Sequence, residues 1–144
     1  MPYLAKALPI LILFSSYAGA SEVLPTGLYQ ITTEIGMPHL DENLRYATMR
    51  EKQCLDHQEL SSLFPILHHN AFTGCKLDQE YRHGKTVSYV LICEEAHGMS
   101  GGAQWQLGGA EIHGTLEVKL GGKNMTLYQR VTAKLLSECV TETR

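Results

Sequence analysis

The sequence predicts a mainly β fold: an antiparallel meander or open, barrel-like curved sheet with one short helix and two disulfides. Three observations carry this expectation. Apolar and polar residues alternate with period two in several short runs, as at Tyr29, Ile31, Thr33 and Ile35, which is the pattern of a half-buried strand. Glycine-bearing turns separate those runs, at His83-Gly84, Gly108-Gly109 and Gly121-Gly122, as in all-β sheets and open barrels. Four cysteines, Cys54, Cys75, Cys93 and Cys139, make an even set. No two are as close as a zinc knuckle or a Cys-x-x-Cys redox motif requires, so disulfides are the simpler reading.

The elements follow in chain order. Lys6 precedes an apolar run, Ala7 to Phe14, and small residues follow, with Ala18 and Ala20 at the spacing signal peptidase requires. Residues 1–20 read as a signal peptide. The run is far shorter than the roughly 20 apolar residues a membrane anchor needs. Cleavage after Ala20 leaves 124 residues, the length of one domain, spanning 21–144. The formal net charge of −3 becomes −4 without Lys6. No Lys/Arg cluster stands out, which argues against nucleic acid as a partner. The expected location is periplasmic or secreted, with no stable membrane insertion after signal cleavage.

Pro25-Thr26-Gly27 leads into the first strand, Leu28 to Ile35. Gly36-Met37-Pro38-His39 and Asp41-Glu42-Asn43 form a polar connection. Leu44 to Cys54 reads as a second strand, and its charged stretch Arg50-Glu51-Lys52 marks it as an edge. Asp56 and Glu59 have capping-box spacing ahead of Leu60, Leu63 and Phe64, which predicts a helix of one to two turns ended by Pro65. Strands are then expected over Cys75–Arg82, Thr86–Glu94, Ala103–Leu107, Glu111–Leu120 and Met125–Leu136. Thr86–Glu94 is apolar on both faces after Tyr89, so it is placed centrally.

Four cysteines allow three connectivities. Cys54 and Cys75 bracket the predicted helix, while Cys93 and Cys139 end strands. This organisation favours Cys54–Cys75 and Cys93–Cys139.

Pro25-Thr26-Gly27-Leu28-Tyr29, Gly36-Met37-Pro38, Cys54-Leu55-Asp56, Cys75, Cys93, a glycine-rich hairpin region and Cys139 follow one another along the chain. The order of these short motifs resembles the domain of unknown function 3617 family of small exported bacterial proteins. The resemblance covers nearly the whole chain after Ala20. It departs at Ser137, where family members often carry glycine two residues before the last cysteine. The resemblance implies export, a β-rich domain and structural cysteines. It implies no activity and no catalytic residue.

Several residues suggest chemistry. Seven histidines are present, two of them beside methionines: Met37-Pro38-His39 and His97-Gly98-Met99. Imidazole with thioether suits copper, Cu(I) especially, with His68-His69 as a further candidate. Loops of exported proteins also carry such residues without any metal. No Gly-x-Ser-x-Gly elbow is present, and Glu94-Glu95 on a strand point to opposite faces. No catalytic residue is assigned, and no enzyme and no cofactor are expected. Trp105 and Tyr89, with Tyr46 and Tyr29, are candidates to line an apolar cavity, although core packing accounts for the same residues. Asn124-Met125-Thr126 is a glycosylation sequon, meaningful only in a eukaryotic secretory path. The expected function is therefore non-enzymatic binding of a small apolar ligand or an envelope partner protein. A periplasmic copper-binding protein using His39, Met37, His97 and Met99 is the alternative.

Overall fold

The computed structural model describes residues 24–37, 46–94, 98–121 and 125–140. The expected signal peptide, His39, Glu95, His97 and Asn124 lie outside these residues. Seven strands form one sheet: β1 (Gly27–Gly36), β2 (Tyr46–Leu55), β3 (Cys75–His83), β4 (Thr86–Cys93), β5 (Ser100–Gln106), β6 (Glu111–Lys119) and β7 (Thr126–Ser137). All pairings are antiparallel. The order is β2-β1-β7-β6-β5-β4-β3, so β3 to β7 form a meander and the first hairpin docks on its last strand. The sheet does not close into a barrel. The mainly β, open antiparallel fold is as the sequence predicts.

Period-two alternation gives the sheet two unlike faces. One inner row runs across five strands through Thr33, Val131, Gly114, Trp105 and Val87. The next runs through Ile35, Gln129, Leu116, Ala103 and Tyr89. Most of these residues belong to a single buried core. The outer face is polar. Its row Thr32, Thr132, His113, Gln106 and Thr86 carries cross-strand contacts: His113 Nδ1 lies 3.3 Å from Thr132 Oγ1, and Thr86 Oγ1 donates to Gln106 Oε1 at 3.1 Å. Such pairs stabilise a face that stays in water.

A single segment, 56–74, covers the inner face. The expected helix is replaced by three short 3-10 turns, Leu60–Ser62, Pro65–His68 and Asn70–Phe72. The capping box does not form. Asp56 accepts from Thr26 Oγ1 at 3.0 Å instead, and Glu59 is extended and caps nothing. Pro65 biases the residue before it away from helix, and Phe64 is extended at φ −93, ψ 103. Leu60, Leu63 and Phe64 are buried all the same, so the helical spacing marked the right apolar residues with the wrong backbone.

Besides the Thr26–Asp56 bond, hydrogen bonds at several points tie this segment down. Leu24 N–H donates to the Gln58 carbonyl at 3.0 Å. The buried Trp105 Nε1 donates to the Leu60 carbonyl at 3.1 Å. Ile66 N–H donates to Gln129 Oε1 at 3.2 Å. Trp105 also meets Phe64 with ring centroids 5.1 Å apart. Because the segment covers one face only, β4 is not buried on both sides. It lies between β3 and β5, but Val90 on its outer face is 44% exposed.

The cysteine pairing also differs from expectation. The disulfides are Cys54–Cys139 and Cys75–Cys93, not Cys54–Cys75 and Cys93–Cys139. Cys54 lies on β2 and Cys75 on β3, which are opposite edges of the sheet. Cys75 instead stands directly opposite Cys93 in the β3–β4 register. Cys54 faces Leu28 on β1, and Leu28 faces Ser137 on β7. The chain just past β7 therefore brings Cys139 to within 5.7 Å of Cys54, Cα to Cα. Two disulfides fit a protein that matures outside the reducing cytoplasm. No helix among the described residues is long and apolar enough to cross a membrane.

Tyr29 shows how closely the first strand is held. It is buried, and its hydroxyl donates to the Pro25 carbonyl at 2.7 Å. Burial raises its phenol above the ordinary value of 10.0. In the unfolded chain Tyr29 loses its proton near its ordinary value; in the folded chain it keeps it longer. Its contribution to stability is therefore full below about pH 10 and is lost as the pH rises further. Urea midpoints measured across that range should fall less steeply for Tyr29→Phe than for the parent protein. Equal slopes would contradict this.

Candidate functional site

The covering segment is too short to shield the whole inner face. It packs over the Trp105 side and leaves an apolar groove of about 650 Å³ beside β1, β2 and β7. The floor is Thr33 and Ile35 of β1 with Leu127 and Gln129 of β7. Met49 and Glu51 of β2 form one wall, and Pro65, Ile66, His69, Ala71 and Phe72 form the roof. Met37 and Leu120 close one end. A smaller hollow of about 230 Å³ shares Glu51 and Pro65 with the groove and extends along β2 past Ile31 and Leu55.

Strand periodicity explains the inner-facing part of this lining, while Thr48, next to Met49 on β2, borders the groove from the strand edge. Met49 faces Thr33 in the β1–β2 register, and Glu51 faces Ile31, so β2 turns Met49 and Glu51 to the inner side. Met49 is nevertheless 64% exposed, because nothing in the covering segment reaches over it. Gln129 is the one buried polar residue of the described core, at 1% exposure. It shares its row with Ile35 and Leu116. Two histidines of the segment, His69 in the roof and His68 at the smaller hollow, serve the segment itself: His68 Nε2 lies 3.1 Å from the Ser62 carbonyl, and His69 Nδ1 accepts from Ala71 N–H at 3.1 Å.

Several of the residues singled out in the sequence fall elsewhere. Trp105 is wholly buried and packs in the core, so it anchors the roof rather than lining the groove. Tyr89 is also buried. Its backbone neighbourhood borders a polar hollow on the outer face, among Ser88, Gln104, Thr115, Glu117 and Lys119, and its hydroxyl donates to Glu80. Met37 lines the groove. Met99 packs against the core. His39 and His97 lie outside the described residues. Among the described residues no group of three or more His, Cys, Asp or Glu is placed to hold a metal ion.

Sequence reasoning missed Gln129, Thr33 and Met49 as site residues. One signal was present. Gln129 occupies an inner-face position of β7 between Leu127 and Val131, where alternation calls for an apolar side chain.

Both sheet edges are blunted against pairing with another chain. On β2, Arg50, Glu51 and Lys52 are exposed. On β3 the register shifts between Asp78 and Tyr81, and Gln79 takes a positive φ of 54°. Edge charges and bulges discourage strand addition.

No family model matches this chain, and no curated protein and no solved structure matches it either.

Proposed function

We propose that this is a non-enzymatic binding protein, periplasmic or secreted, that holds a small apolar ligand in the groove between β1, β2, β7 and the 56–74 segment. The observation that carries the reading is the groove itself. Its volume of about 650 Å³ falls within the roughly 300–1,000 Å³ of small-molecule sites. Its lining is mostly apolar, with a few polar side chains from Thr33, Thr48, Glu51, His69 and Gln129, as such sites combine. The blunted edges favour a ligand over an envelope partner added as an extra strand. Export by a cleaved signal peptide belongs to the same proposal, supported by the residues 1–20 pattern and the two disulfides. So does membership of the domain of unknown function 3617 family, supported by the order of its motifs.

N-phenyl-naphthylamine, whose fluorescence rises in apolar surroundings, provides the test. The folded protein should bind it saturably. Ala71 is exposed and lines the groove, so Ala71→Trp fills the site from the roof without entering the core. This variant should weaken probe binding by about tenfold or more, roughly 1.4 kcal/mol, with an unchanged circular dichroism spectrum. Absence of saturable binding by the parent protein, or undiminished binding by Ala71→Trp, would overturn the proposal.

A further inference from the structure

Gln129 is an odd residue to find on the inner face. Leu127 and Val131 flank it along β7, and Ile35 and Leu116 flank it across the sheet. A polar side chain there is costly unless its groups are bonded. Half of it is bonded: Oε1 accepts from Ile66 N–H at 3.2 Å. That bond fixes which end of the amide is oxygen, because a backbone N–H needs an acceptor. The other end, Nε2, makes no hydrogen bond among the described residues. Yet among the described residues no fully buried side-chain nitrogen or oxygen lacks a partner. Nε2 is therefore not sealed in the core; since Gln129 lines the groove, it opens there. It carries two N–H donors and no acceptor.

The rest of the lining narrows what those donors meet. His69 Nδ1 already accepts from Ala71 N–H, so a neutral ring carries its proton on Nε2 and is a donor too. Among the described lining residues Glu51 is the one formally charged group, and no Lys or Arg is present. A carboxylate head taken into this groove would lose its hydration, gain no countercharge and approach a like charge. An uncharged carbonyl loses far less on dehydration, meets no like-charge repulsion from Glu51, and recovers a hydrogen bond from Gln129.

We infer that the groove takes a neutral acyl ligand, an apolar chain bearing an ester or amide carbonyl, with Gln129 Nε2 donating to that carbonyl. This inference rests on the apolar-ligand reading and adds the chemistry of the head group.

Displacement of N-phenyl-naphthylamine tests it on the ligand side, where folding is not at stake. Three competitors of matched chain length are compared at neutral pH, where the free acid is ionised: methyl dodecanoate, dodecanoate and the plain hydrocarbon. The ester should compete at least about tenfold better than dodecanoate and several-fold better than the hydrocarbon. Gln129→Met should abolish the ester's advantage over the hydrocarbon while retaining hydrocarbon binding. Gln129→Glu keeps an acceptor for Ile66 N–H, removes the donor, and should likewise lose the ester preference. Dodecanoate competing as well as the ester, or an ester advantage that survives in a folded Gln129 variant, would overturn the inference. If the ester and the hydrocarbon compete equally in the parent protein, the Gln129 role fails as well. In each of these cases the groove reading stands; only failure of the probe itself to bind removes both.

Discussion

Trp105→Ala is expected to lower stability by about 3–5 kcal/mol, the range for a large aromatic truncated in a core. For a domain of this size that is a fall in Tm on the order of 15 °C. The cost is large because the indole does three jobs at once. It is fully buried, it faces Phe64, and its N–H satisfies the Leu60 carbonyl within the covering segment. Truncation leaves a cavity and an unpaired carbonyl together. Trp105→Phe restores much of the apolar area but not the donor, so its cost should be intermediate.

The partner of that indole is Gly114, its register neighbour on β6. A Cβ added at Gly114 would stand 2.7 Å from two indole carbons, closer than van der Waals contact allows. Gly114→Ala is therefore expected to cost about 1–3 kcal/mol by overpacking. In the Trp105→Ala background the same methyl enters vacated space, and its cost should fall close to zero. A double-mutant cycle by urea unfolding reads this coupling directly. Equal cost of Gly114→Ala in both backgrounds would mean that the indole does not lie over β6.

What the sequence made legible follows from the range of each interaction. Alternation is local, so β1, β6 and β7 could be read to within a residue or two, and Tyr29, Ile31, Thr33 and Ile35 could be placed on one face. The apolar spacing Leu60, Leu63, Phe64 was also local and also right about burial. It failed on backbone type because Pro65 and the Thr26–Asp56 hydrogen bond compete with a helix. Sheet order is not local. Nothing in the period-two pattern says that β1 sits between β2 and β7, and the groove exists only because that first hairpin extends the sheet beyond the reach of the 56–74 segment. Trp105 was the natural candidate for a cavity wall because it is large and aromatic. It became a core residue because Gly114 makes room for it and Leu60 offers it an acceptor. Gln129 was legible in principle, as a polar residue where alternation demands an apolar one, but its meaning depends on Ile66, sixty-three positions away in the chain.

The disulfides turn that non-local order into the second large expected effect. Chain-entropy reasoning assigns about 3 kcal/mol to Cys75–Cys93, with its separation of 18 residues, and about 4.5 kcal/mol to Cys54–Cys139, with its separation of 85. The two also act at different places. Cys75–Cys93 joins neighbouring strands whose register β3 and β4 already share. Cys54–Cys139 spans β1 and fastens edge strand β2, which bears Met49 and Glu51 of the groove wall, to the chain leaving β7. Replacing Cys54 and Cys139 together by Ser should therefore destabilise more than replacing Cys75 and Cys93 together. It should also be the pair whose loss weakens probe binding, because among the described residues β2 has no strand on its outer side to hold it. Urea unfolding of the two double variants measures the first difference, and N-phenyl-naphthylamine titration of the folded variants measures the second. Peptide mapping without reductant checks the premise: one fragment should join Cys54 to Cys139, and another Cys75 to Cys93. Recovery of a Cys54–Cys75 fragment would bring the two sheet edges together, which is incompatible with the strand order that creates the groove.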